Sequence, residues 1–120
     1  MHVTRSTALL TDKYELTMLD AALQSGVADR RTVFELFGRR LPPSRRFGVV
    51  AGTGRIMEAL ARFRFDDDQI AWLDSQGFLA DETLEYLANY KFKGDIHGYR
   101  EGEVYFPGST LLTVEGTFAE

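Results

Sequence analysis

Six places in this 120-residue chain carry residues that could do chemistry. Tyr14 lies in LLTDKYELTM (9–18), an aromatic ring near the start of a helix signal. Arg39 lies near the end of RTVFELFGRRL (31–41), where a guanidinium could meet an anion. AGTGR (51–55) sets two glycines before a helix, whose N-terminal N–H groups can hold an anion. It lacks the third glycine of a dinucleotide fingerprint and the Gly-Lys-Ser/Thr of a P-loop, so a plain strand-to-helix turn is the more ordinary reading. Asp66, Asp67 and Asp68 suggest a metal at first sight, but three adjacent side chains at a helix start diverge, and capping with dipole stabilisation explains them better. His2 and His97 have no serine, cysteine or carboxylate partner at a motif spacing, so no nucleophile–base pair is legible. His97 reads as a half-buried strand residue.

The elements that must position these residues follow from pattern. Residues 12–25 predict a helix, with Asp12 as N-cap, Glu15 as capping-box partner and Gly26 as the stop. Leu16, Leu19 and Leu23 form its core stripe. Tyr14 points the other way with Met18, Ala21, Ala22 and Ser25, a face too apolar and small for free solvation. That face is expected to be covered, either inside its own domain or by a subunit contact or ligand wall.

RTVFELFGRRL reads as a strand, PPS as a breaker and RFGVVAG (46–52) as a second strand, the two expected to pair as a hairpin. Alternation puts Phe34, Leu36 and Gly38 on one face and Val33, Glu35, Phe37 and Arg39 on the other. Arg39 either meets an anion there or pairs in solvent with Glu35. Three helices follow: 53–63 with Ile56, Met57, Leu60 and Phe63 inward; 66–77 with an Asp66/Gln69 capping box and Gly77 at its end; and 81–90 capped by Asp81. From Lys91 onward, short alternating segments cut by glycines have the grammar of a β-meander. The fold class is α+β.

Composition bounds the function classes. At 44% hydrophobic and 27% charged, the chain suits one domain with a real core. A net charge of −4 and no long basic run argue against nucleic acid or an anionic membrane as partner. The absence of cysteine removes disulfides and thiolate chemistry. No apolar stretch resembles a signal peptide or a membrane span, and a cytoplasmic location is expected.

LLTDKYELTM, FELFGRRLPPSRRFGVVAGTGRIMEAL and GEVYFPGSTLLTVEGTFAE together resemble, in order and spacing, the N-terminal domain of nicotinate phosphoribosyltransferase, a relative of the quinolinate and nicotinamide phosphoribosyltransferases. The resemblance implies a small α/β-hammerhead-like domain, short helices against a mainly antiparallel sheet, from a longer chain whose α/β barrel lies outside residues 1–120. In that family the barrel holds the phosphoribosyl-diphosphate pocket and a histidine phosphorylated by ATP. Neither His2 nor His97 sits in a matching segment, so no catalytic residue is carried over.

The resemblance further implies a head-to-tail homodimer in which this domain caps the partner's barrel. Tyr14 would stack on nicotinate in trans, and Arg39, with Arg40 beside it, would reach a phosphate of phosphoribosyl diphosphate in trans. Mg²⁺ and ATP are expected in the full-length enzyme and none on this chain alone, which is expected to be inactive. A stand-alone binding or oligomerisation module of the same fold, or a relative specific for nicotinamide or quinolinate, are the competing readings.

Overall fold

A computed structural model describes residues 6–120 of the chain, so His2 lies outside the described residues. Its elements run α1 (Lys13–Gln24), β1 (Arg31–Phe37), β2 (Gly48–Val49), α2 (Thr53–Ala61), α3 (Asp67–Gln76), α4 (Asp81–Ala88), β3 (Asp95–Gly98), β4 (Val104–Tyr105) and β5 (Thr110–Thr117). The expected α+β class holds, and every strand pair is antiparallel.

Local signals set the helix ends. Asp12 caps α1 and Glu15 closes the box, its Oε2 accepting from the Asp12 N–H at 3.1 Å. The helix stops at Gly26, whose φ of +70° lets the chain turn back so that the Val27 N–H reaches the Ala22 carbonyl. Asp66 and Gln69 box α3, with 2.9 Å from the Gln69 N–H to Asp66 Oδ1, and Gly77 ends it at φ +67°. The acid run therefore does the structural work expected of it.

The cap of α4 differs from expectation. Asp81 is its first helical residue and Ala80 the N-cap. The acceptor comes from α1: Asp20 Oδ1 takes the Ala80 N–H at 2.9 Å and the Thr83 hydroxyl at 2.6 Å. Thr83 is fully buried, and the second of these bonds satisfies its hydroxyl.

Two layers result. The helical layer centres on Leu16, Leu19, Phe65, Leu73 and Leu87, with Phe63, Phe65 and Tyr90 edge to face at centroid separations of 5.6–6.2 Å. The sheet layer has the order β1-β5-β3. Its register places Thr32, Phe34 and Leu36 beside Gly116, Val114 and Leu112, so one face is apolar. Arg31 pairs with Glu115, and Glu115 shares the opposite face with Val33, across which it stands.

Two pairing expectations and one burial expectation are overturned. The 31–41 and 46–52 segments form no hairpin: β1 pairs with β5, and β2 pairs with β4 in a separate two-stranded ribbon. The C-terminal third is accordingly no simple meander, since β4 leaves the sheet that β3 and β5 share. Helix α2 buries no residue, and Ile56 and Met57 are exposed instead of inward. Phe63 does pack inward, but from the segment after the helix.

Candidate functional site

The capping box starts α1, and three tertiary anchors set its rotation. Leu16 and Leu19 enter the core, Lys13 Nζ sits 4.4 Å from the centre of the Phe78 ring, and Asp20 grips the start of α4. At 3.6 residues per turn these side chains share one side, so Tyr14 must leave from the other. Its residue is 58% exposed, with Met18 at 47% one turn on and Ala21 and Ser25 exposed beyond. Ala22, expected on that face, is buried: its position falls on the flank between the exposed stripe and the core side. Of the two covers considered, the domain itself is removed. The exposed stripe has no cover among the described residues.

Asp12 and then Glu15 raise the Tyr14 phenol above its ordinary pKa, because negative charge disfavours phenolate. The ring is therefore a neutral, flat aromatic surface held on a capped turn. Such a surface can stack on another ring.

Arg39 stands two residues beyond β1 in an exposed loop, not on the strand. The β1–β5 register shifts between Leu36 and Phe37, and a shift cancels the alternation that assigned Arg39 a face. Its root is held firmly: the Gly38 carbonyl accepts from the Gly108 N–H at 2.8 Å, and the Tyr105 ring lies over Gly38 and Gly48. Glu35 does not pair with it, accepting instead from the Thr110 hydroxyl. Among the described residues Arg39 has no salt bridge, so its guanidinium keeps its donors available. Arg40, Arg45 and Arg46 are exposed in the same loop.

The strand-to-helix turn at AGTGR does hold an anion, one supplied by the chain. Glu101 accepts from the Gly52 N–H at 2.9 and 3.0 Å and the Gly54 N–H at 3.0 Å. The Gly54 bond, then the Gly52 bond, lowers its pKa below the ordinary carboxylate value. The sequence reading missed both Glu101 and Asp20, since neither has a local signal tying it to its target. His97 on β3 is exposed instead of half-buried. No group of three or more His, Asp or Glu side chains able to hold a metal forms among the described residues.

Between the layers runs an apolar groove of about 480 Å³, walled by Leu16, Met18, Phe34, Phe63, Tyr90 and Val114. Neither Tyr14 nor Arg39 lines it. Both therefore stand outside the groove, Tyr14 on α1 and Arg39 in the loop after β1.

Residues 9–120 match the family model of the nicotinate phosphoribosyltransferase N-terminal domain. The chain is 62% identical over 112 residues to Mycobacterium tuberculosis nicotinate phosphoribosyltransferase pncB1, covering 93% of this chain and 25% of that protein. It is 31% identical over 115 residues to Bacillus subtilis nicotinate phosphoribosyltransferase, covering 96% of this chain and 24% of that protein. The crystal structure of human nicotinic acid phosphoribosyltransferase superposes with a TM-score of 0.80 at 30% identity, over 91% of this chain and 22% of that one. The chain thus spans about a quarter of the length of these relatives, and it belongs to the nicotinate phosphoribosyltransferase N-terminal domain family.

Proposed function

We propose that this domain serves an NAD-salvage nicotinate phosphoribosyltransferase, which joins nicotinate to phosphoribosyl diphosphate to give nicotinate mononucleotide and diphosphate. The domain acts as the wall of a shared pyridine site: Tyr14 stacks on the nicotinate ring and Arg39 binds a phosphate of phosphoribosyl diphosphate, both in the barrel of a partner subunit in a cytoplasmic head-to-tail homodimer. The observation that carries this reading is the rigidly capped first turn of α1, which presents the Tyr14 ring outward with no cover among the described residues.

The chemistry of the two residues suits these roles. A neutral phenol stacks on a flat pyridine without repelling its carboxylate as a phenolate would. A guanidinium without an ion-pair partner offers paired donors to phosphate oxygens. The domain contributes ring positioning and exclusion of water. Mg²⁺ would offset diphosphate charge and ATP would be hydrolysed in the whole enzyme. No helix among the described residues is long and apolar enough to cross a membrane.

The test is a chimaera carrying residues 9–120 in place of the corresponding segment of the Mycobacterium tuberculosis relative. It should form nicotinate mononucleotide, and assay against nicotinate, nicotinamide and quinolinate should show preference for nicotinate. Isolated 1–120 should show no transfer. An inactive chimaera that folds and dimerises would overturn the assignment.

A further inference from the structure

The arginine-bearing loop, residues 39–47, is pinched at its neck by one ring from outside it. The Tyr105 phenol on β4 lies between Gly38 and Gly48, the two residues that flank the loop: a methyl carbon on Gly38 would stand 3.1 Å from its Cε2, and one on Gly48 would collide with Cε1 on the other edge. Both flanks are therefore bare of side chain where the ring needs the space. Gly48 is buried and pairs with Tyr105 in the β2–β4 ribbon, and the Gly38 carbonyl accepts from the Gly108 N–H at 2.8 Å. One short segment, 105–108, thus holds both ends of the loop.

The composition of the loop calls for such a clamp. It carries Arg39, Arg40, Arg45 and Arg46, and no salt bridge offsets any of them among the described residues. Like charges on one short loop repel, and an open loop has many conformations to choose from. Inside the loop, a bond of 2.8 Å from the Arg45 N–H to the Pro42 carbonyl makes one turn. The closure at the neck comes from ring packing and a backbone hydrogen bond, which salt screens far less than it would an exposed ion pair. Arg39 is the first residue past the neck, so the direction in which its backbone leaves is set at Gly38, where the Tyr105 ring and the Gly108 N–H both take hold.

We propose that Tyr105 is a positioning residue for phosphoribosyl diphosphate: its ring, wedged between Gly38 and Gly48, fixes the neck of the 39–47 loop and with it the direction from which the Arg39 guanidinium meets phosphate. The inference rests on the phosphate role proposed for Arg39. In this role Tyr105 needs no contact with substrate. It acts through the loop, because a guanidinium delivered from a fixed backbone gives up less freedom on binding than one delivered from a loose one. The wedge uses the flat ring and not the hydroxyl, so phenylalanine should serve in its place.

The experiment uses the chimaera described above with Tyr105→Ala, Tyr105→Phe, Arg39→Ala and the double variant Tyr105→Ala with Arg39→Ala. Tyr105→Ala should raise phosphoribosyl diphosphate KM about threefold to tenfold, with kcat and nicotinate KM within about twofold of the parent. Gly48→Ala, which pushes the ring out of its wedge, should do the same, and Tyr105→Phe should match the parent. In the Arg39→Ala background, Tyr105→Ala should leave phosphoribosyl diphosphate KM where Arg39→Ala alone puts it, because its effect passes through Arg39. A residue that merely packs would cost the same in both backgrounds. In the 1–120 chain, Tyr105→Ala should quicken exchange of the Gly108 and Arg45 amides at least about tenfold while the α3 amides keep the parent rate, which also shows that the variant folds. An inactive chimaera, or Arg39→Ala with an unaltered KM, would overturn the phosphate role and this inference with it. An Arg39→Ala effect beside a Tyr105→Ala KM like the parent's, an equal Tyr105→Ala cost in both backgrounds, a Tyr105→Phe chain as impaired as Tyr105→Ala, or unquickened exchange at the neck would each overturn the inference alone.

Discussion

Asp20 offers the most direct test of how α1 is aimed. Its carboxylate is shared by three donors: the Ala80 N–H and Thr83 hydroxyl on Oδ1, and the Gln24 side-chain amide on Oδ2 at 2.6 Å. Asp20→Ala strips the cap from α4 and leaves the fully buried Thr83 hydroxyl without its partner. Loss of a helix cap costs about 0.5–2 kcal/mol, and an orphaned buried hydroxyl costs about 1–3 kcal/mol. The two overlap, because one oxygen serves both donors, so about 2–3 kcal/mol is expected. For a domain of this length, 1 kcal/mol moves Tm by roughly 4 °C, which puts the drop near 10 °C.

The pH dependence has a fixed sign. The Thr83 hydroxyl, then the Ala80 N–H, lowers the Asp20 pKa in the folded state. A carboxylate depressed on folding contributes its stability above the unfolded pKa and loses it as pH falls through the folded one. Asp20→Asn keeps an acceptor, so it should cost less than Asp20→Ala at neutral pH; the gap to the parent should begin to narrow as pH falls below the ordinary Asp value of about 3.9 and close only below the lowered folded pKa. Thermal melts of the parent, Asp20→Ala, Thr83→Val and the double variant, combined as a double-mutant cycle, measure the coupling, with Asp20→Asn melted beside them. A Tm within 2–3 °C of the parent for Asp20→Ala (below roughly 0.7 kcal/mol) would refute the reasoning.

Glu101→Ala should free the Gly52 and Gly54 N–H groups, and their amide exchange should quicken at least about tenfold while α3 is unaffected. In the parent the same loosening should appear on acidification through the lowered Glu101 pKa, since this carboxylate too contributes only while ionised. Gly48→Ala would drive a methyl carbon into the Tyr105 ring and should cost about 1–3 kcal/mol in a denaturant melt. In the chimaeric enzyme, Tyr14→Ala should raise nicotinate KM about tenfold, and Arg39→Ala should raise phosphoribosyl diphosphate KM by roughly tenfold to a hundredfold. Mixing either variant with a barrel-inactivated chain should give heterodimers more active than both parents; activity that never exceeds them would mean the residues serve their own subunit.

What was legible in the sequence was what neighbouring residues decide. Asp12 with Glu15 and Asp66 with Gln69 announce helix starts because each side chain bonds a backbone three residues away. Tyr14 could be placed outward for the same reason: its direction follows from the cap and the leucine spacing. Arg39 could not, because its face depends on a register shift at Leu36 and Phe37 that local alternation does not record. Pairing was illegible for a related reason. The segment after Pro42 and Pro43 offers β1 a nearby partner, but only two of its residues form a strand, whereas β5 supplies eight with an apolar row to match Phe34 and Leu36.

The error at α2 separates two properties that amphipathic patterns confound. Spacing tells which face of a helix is apolar; whether a surface exists to receive it depends on everything else in the molecule. Here Gly52 and Gly54 leave the start of α2 open to the Glu101 carboxylate, and that bond fixes the helix by one end while its stripe stays free. The same logic governs Tyr14, where a cap fixes the backbone and leaves the ring bare. In both places the chain spends strong, directional hydrogen bonds on orienting an apolar group outward, which gains nothing for the isolated domain. Such an arrangement gains stability only where another surface meets it, so solvent protection at Tyr14 and at α2 are two separate measurements.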